Sequence, residues 1–218
     1  MTESDAVSPS PPPRRGRRAL QAEQTRADLL AAARTRFARD GYAATSLKDI
    51  AGDAGVSVQT VYDSVGSKAD LIRGLNDLID GEAQIWEIAS TIPTQTDPLA
   101  LARIPALITR RLVERCGDIL RAGVAGMQAE PELVPVISEG GKRHRAGTAI
   151  IAGRLADFGA LRDDLSRDDA AITMAALSDF RLAITLIDDH EMTLDEIEQW
   201  MADTTMRAVL TQSFYASA

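Results

Sequence analysis

The stretch Thr45–Lys68, TSLKDIAGDAGVSVQTVYDSVGSK, decides how the chain reads. Leu47, Ile50, Ala51 and Ala54 fall at i, i+3, i+4 and i+7, which is one apolar stripe at helical period. Ser46 followed by Asp49 is a capping signature at the start of that helix. Gly55 stands just past its last apolar position, where a residue tolerant of positive φ is required. Ser57 caps a second short helix, in which Val61 and Val65 form an i, i+4 inward pair. Val58, Gln59, Thr60 and Tyr62 are left on its other faces. Ser67 and Asp70 open a third helix. Helix, glycine turn, helix is the geometry that places a recognition helix in a DNA major groove.

These residues resemble the DNA-binding domain of the TetR family of transcriptional regulators. The family pattern appears here as Phe37, Gly41, Tyr42, Thr45, Ser46, Ile50, Ala51, Ala54, Gly55, Val56, Ser57, Thr60, Val61, Tyr62, Gly66, Ser67, Lys68 and Leu71. The resemblance spans about residues 25–72, roughly a quarter of the chain. It implies an all-α protein in which an N-terminal three-helix, helix-turn-helix DNA-binding domain precedes a larger helical bundle that binds an effector and dimerises. The corresponding divisions are a disordered basic arm at 1–20, the DNA-binding domain at 21–68 and the effector and dimerisation domain at 69–218.

Composition agrees. The 218 residues are 45% hydrophobic but only 4% aromatic, which suits packed helices better than a sandwich. No run of about 18 apolar residues and no N-terminal apolar segment is present, so the reading is of a cytoplasmic protein with no membrane span. The lone Cys116 has no internal disulfide partner, and no Cys/His spacing suggests zinc or another cofactor. The net charge of −8 is unevenly spread. Residues 1–68 carry ten Lys/Arg against eight Asp/Glu, and residues 69–218 carry fourteen against twenty-four. The basic excess is concentrated in Arg14, Arg15, Arg17 and Arg18, so an acidic body leaves one face fit to meet DNA.

Downstream, helices are expected at 21–39, 68–91, 98–115, 117–129, 132–157, 167–188 and 194–213. Asp97-Pro98, Ser166, and Thr193 with Glu196 are their starting signals, and Gly140-Gly141 is a weak point. The terminal pair, 167–213, is expected to form a homodimer.

For DNA, Val58, Gln59 and Tyr62 are the base-reading candidates. Gln pairs with adenine and a valine methyl meets a thymine methyl. Thr45, Ser46, Ser57, Thr60 and Lys68 are the phosphate candidates, and Arg17 and Arg18 belong to an arm for the backbone or minor groove. Asp63, Ser64 and Val65 depart from the family pattern, and Asp63 brings a negative charge near the phosphates. For an unidentified small-molecule effector, Trp86, Met127, His144, Met174 and Phe180 are the candidates, with Phe158 and His190 behind them. Lys142–Arg145 reads as a solvated basic face or, less favoured, an anion site. Asp188–Glu191 lacks the inward spacing of a metal site.

Two histidines, one cysteine and no catalytic motif count against an enzyme. The expected function is therefore a ligand-responsive repressor of transcription. The alternative is a helical ligand-binding module with weak DNA binding.

Overall fold

A computed structural model describes residues 16–215, and among these the regular structure is helical. The N-terminal unit is α1 (Arg17–Asp40), α2 (Leu47–Asp53) and α3 (Val58–Ser64). The body holds α4 (Lys68–Ala83), α5 (Ile85–Ala89), α6 (Pro98–Ala129), α7 (Val134–Asp157), α8 (Arg167–Leu177), α9 (Phe180–His190), α10 (Leu194–Val209) and a last turn α11 (Gln212–Tyr215).

The starts follow the capping residues. Ser46/Asp49, Ser67/Asp70 and Thr193/Glu196 each form a reciprocal capping box, and Ser57, Asp97 and Ser166 accept from backbone N–H groups of the first turn. Each such cap is worth roughly 1 kcal/mol. Gly55 adopts φ 67°, the left-handed turn that reverses the chain between α2 and α3.

Several boundaries differ from the sequence reading, each for a local physical reason. The first helix begins at Arg17, so residues 17–20, assigned above to the arm, are helical; Arg14 and Arg15 lie outside the described residues. The helix expected to run from 68 to 91 ends at Ala83. Gln84 turns left-handed (φ 50°, ψ 42°), and Arg115 donates to the freed carbonyl of Glu82. The two helices expected at 98–115 and 117–129 are one, α6. Val113, Cys116, Ile119, Leu120 and Gly123 continue a single buried stripe past Gly117, and packing on that stripe outweighs the glycine's cost of up to about 1 kcal/mol. The helix expected at 167–188 is two. Ser178 leaves helical geometry, and the Asp179 side chain accepts from the Arg181 N–H to start α9. Short polar side chains compete for backbone donors in this way.

By length and composition alone, the segment Arg167–His190 holds a stretch of mean hydropathy 1.6 that is apolar enough to cross a membrane. Ser178, Asp179 and Arg181 interrupt it, so it is not an unbroken apolar run. In the fold it is interrupted at Ser178-Asp179 and sends Ala170, Met174, Ala183 and Leu186 into the interior.

Two buried clusters hold the molecule together. One runs from Leu29, Phe37 and Ile50 through Leu71 and Leu75 to Cys116, Ala183 and Met201, so the interior is continuous across Lys68. The other gathers Leu101, Ile151, Leu155, Met174 and Leu210 at the far end. Helix α1 approaches α4 closely at Gly74, where a Cβ would lie 2.7 Å from a Leu30 methyl. By contrast, a Cβ at Gly153 in α7 meets nothing within 4 Å. Gly153→Ala therefore raises stability by about 0.5–1 kcal/mol. A melting temperature increased by about 2–4 °C checks this.

Candidate nucleic-acid interface and its linked cavity

The candidate reading surface is built by α3. Val61 is fully buried against the core and fixes the helix rotation, which turns Val58, Gln59, Tyr62 and Asp63 outward. Tyr62 is 55% exposed with no structural duty for its ring to explain it. Gln59 Nε2 donates to Asp63 Oδ1 at 2.9 Å, one turn along. Asp63 thus restrains the Gln59 amide while adding its charge to the face.

The phosphate candidates divide. Ser46 and Ser57 are exposed at the starts of α2 and α3, and both serve as caps. Thr60 is half-buried, its hydroxyl 2.8 Å from that of Ser57. Thr45 is buried, and its hydroxyl donates to the Gly41 carbonyl at 2.8 Å, so the phosphate role expected of it gives way to closing the α1–α2 loop. Lys68 likewise turns inward. Its ammonium donates to the carbonyls of Tyr42 (2.9 Å) and Thr45 (3.2 Å) and lies 4.2 Å from the Tyr42 ring centroid. Arg17 and Arg18 are exposed in the first turn of α1, where no acidic residue accompanies them. Cations there oppose the helix dipole, so they contribute nothing to the helix and are free to meet an external anion.

Behind the reading unit, α4, α5, α6, α7 and the α8–α9 break enclose a cavity of about 750 Å³. Trp86, Met127, His144 and Phe180 line it, as expected of an effector set. Trp86 stands at the rim, 67% exposed. Met174 does not reach the cavity: it is fully buried in the far cluster, packed with Leu155, Ile151 and Leu210. Phe158 caps the end of α7, with Arg154 over its ring, and His190 is exposed at the end of α9; neither lines the cavity.

The α8–α9 break furnishes the polar wall. Thr109 donates to the Ser178 carbonyl at 2.6 Å, and His144 Nε2 lies 3.0 Å from the Ala175 carbonyl and 3.2 Å from the Ser178 hydroxyl. Burial alone would raise the Asp179 carboxyl. Its hydrogen bonds to the Arg181 side chain and backbone together outweigh that and hold it below the ordinary value.

The sequence reading missed Ile72, Asn76 and Ile79 of α4, which line the same cavity. Their i, i+4, i+7 spacing on the helix that follows the reading unit was the available signal. It also missed the fastenings between α1 and the body. The Arg34 guanidinium bonds Asp118 of α6 at 2.5 and 2.9 Å, Glu82 of α4 at 2.6 Å and the Arg115 carbonyl at 2.8 Å. The Tyr42 hydroxyl donates to Glu130, at the end of α6, at 2.6 Å. Cys116 lies beneath, and burial pushes its thiol up to about 11, which makes it a packing residue and not a nucleophile.

Residues 29–75 match the family model for bacterial regulatory proteins of the tetR family. This unit is a TetR-family DNA-binding domain. Over 189 residues the chain is 26% identical to the HTH-type transcriptional regulator TtgR of Pseudomonas putida, covering 83% of this chain and 90% of the relative. A probable HTH-type transcriptional regulator of the same species, ArpR, is 35% identical over 83 residues, which are 38% of this chain and 40% of ArpR. Among solved structures, the SmeT–triclosan complex superposes with a TM-score of 0.70 at 20% identity, covering 88% of this chain and 94% of that one. NalD, the secondary repressor of the MexAB-OprM multidrug efflux pump in Pseudomonas aeruginosa, superposes at 0.68 and 19% identity, covering 88% and 98%. At these identities the two structures speak for the fold.

Proposed function

We propose that this TetR-family regulator is a homodimeric repressor released from a palindromic operator by a small molecule bound in the 750 Å³ cavity. One observation carries the reading: α4 serves both ends. Its Ala69, Leu71, Ile72 and Leu75 pack into the cluster that holds α1 and α3, while its Ile72, Asn76 and Ile79 line the cavity. A ligand that shifts α4 therefore shifts the reading unit. Couplings between two sites of this kind are typically 1–3 kcal/mol.

In this reading Val58, Gln59 and Tyr62 contact base edges, and Arg17, Arg18, Ser46, Ser57 and Thr60 face phosphates. The functional division falls near Lys68 even though the buried interior runs through it. Exposed Ile172 on α8 and Trp200 on α10 supply apolar surface for the twofold interface expected within 167–213. Two α3 helices then read half-sites about 34–36 Å apart, or a multiple of that.

The test is anisotropy of labelled DNA from beside the gene, with scrambled competitor. Saturable binding that resists the competitor supports a specific regulator, and binding lost to it supports the weak DNA-binding module instead. Asp63→Asn refines the picture. Asparagine keeps an acceptor for Gln59 but removes a charge facing phosphate, so affinity rises about three- to tenfold at physiological salt. An unchanged or weaker Kd would mean that the Asp63 carboxylate accepts from a base amino group.

A further inference from the structure

The basic run Lys142–Arg145 falls on α7, with Arg143, His144 and Arg145 lining the cavity. The structure sorts its charges. Lys142 pairs with Glu139 at 3.0 Å along its own helix. Arg143 reaches across to Asp80 of α4 at 3.2 Å. His144 is held at Ala175 and Ser178, as described above. The Arg145 guanidinium has no hydrogen-bond or ion-pair partner among the described residues, and only its carbonyl is engaged, accepting from the Thr148 hydroxyl.

The opposite wall is balanced. Arg181 binds Asp179 through two parallel bonds, at 2.9 and 2.7 Å. Both carboxylates that line the cavity, Asp80 and Asp179, are thus each matched by an arginine, and the lining keeps one uncompensated positive charge. The Arg145 guanidinium lies back along α7 over Gly141, where a Cβ would sit 3.5 Å from Nη1. Glycines at 140 and 141 leave that part of the rim without side chains. Beyond it the wall is apolar, with Ile79, Leu112, Ile119, Met127, Ile137 and Phe180.

We propose that the cavity selects amphipathic organic anions: an apolar body seated between α4, α6 and α7, with one carboxylate meeting Arg145 at the rim. A guanidinium offers a carboxylate two parallel N–H donors. A neutral amphiphile of equal length gains only the apolar burial, and a cationic one meets repulsion. The proposal rests on the cavity being the effector site, and its test separates the two ideas.

The probes are decanoate, 1-decanol and decyltrimethylammonium, each below its micelle threshold, titrated into the full chain by calorimetry. Decanoate binds about tenfold more tightly than decanol, the effect of one charge-assisted pair at a partly solvated rim. Decyltrimethylammonium binds most weakly. Arg145→Gln brings decanoate down to the decanol value and leaves decanol unchanged, which also shows that the variant is folded. Four results overturn the proposal: no binding of decanoate, decanol matching decanoate, decyltrimethylammonium binding best, or a decanoate preference that survives Arg145→Gln.

The same probes are then added to a preformed protein–DNA complex. Release by decanol equal to release by decanoate removes the charge preference but keeps the ligand-responsive regulator. Arg145-dependent decanoate binding that leaves the DNA complex intact keeps the charge preference and removes the effector role of the cavity.

Discussion

Arg34→Met lowers the unfolding free energy by about 2 kcal/mol at pH 7. Arg34 bridges Asp118, Glu82 and the Arg115 carbonyl, and methionine fills its stem without replacing a single donor. Removing one partner of a buried ion pair costs about 3–5 kcal/mol. The side chains here keep 28–37% of their exposure, so water recovers part of that. The pH dependence identifies the cause. Burial acts to raise the Asp118 carboxyl, but in the intact protein the hydrogen bonds and charge of Arg34 outweigh it and hold the group below its ordinary value. A depressed carboxyl stabilises above its unfolded pKa and loses that contribution as pH falls through the folded value. Without Arg34 the upward push of burial is opposed only by the backbone N–H groups of Ile119 and Asp118, so the stability that the carboxylate contributes above about pH 4 shrinks. The gap between the two proteins is therefore widest at neutral pH and narrows in acid. Denaturant melts at pH 7 and pH 3.5 measure it; a gap equal at both would assign the loss to packing alone. Because Arg34 fastens α1 to α4 and α6, the same variant also weakens the link between cavity occupancy and DNA release.

Tyr62→Ala reduces specific DNA affinity by about 10- to 100-fold, the range of one base-edge contact. It leaves stability within about 0.5 kcal/mol, because the ring is mostly outside the packed interior. The slope of log K against log salt stays the same, since no phosphate contact is removed. Competitive anisotropy across a salt series reads all three. A lost slope with preserved specificity would make Tyr62 a backbone contact, and a large fall in stability would make it a packing residue.

The two variants mark different depths of legibility. The outward placement of Tyr62 was legible because α3 is short, its cap lies in Ser57, and a 3.6-residue period assigns Val61 inward and Tyr62 outward without help from the rest of the chain. Arg34 was not. Its partners lie 48 and 84 positions away, and nothing in a helix of mixed polarity distinguishes an arginine that bridges two helices from one that is merely solvated. Thr45 and Lys68 show the same limit within the motif itself. Their types suit phosphate, but the path of the α1–α2 loop turns both toward backbone carbonyls. That Trp86, Met127, His144 and Phe180 face one cavity was legible by residue type. Met174 faces the far cluster instead, which depends on how α8 packs against distant helices.

What the sequence alone determined is therefore local: helix starts, the glycine turn, the inward stripe of each helix and the charge imbalance between the two ends. Capping and periodicity act over a few residues, so they survive without coordinates. Only the tertiary structure decided that α6 runs unbroken past Gly117, that α4 ends at a left-handed Gln84, and that Asp80 and Asp179 are neutralised while Arg145 is not. Those outcomes depend on which side chains converge from distant helices, and on burial strong enough to override propensities of a kcal/mol or less.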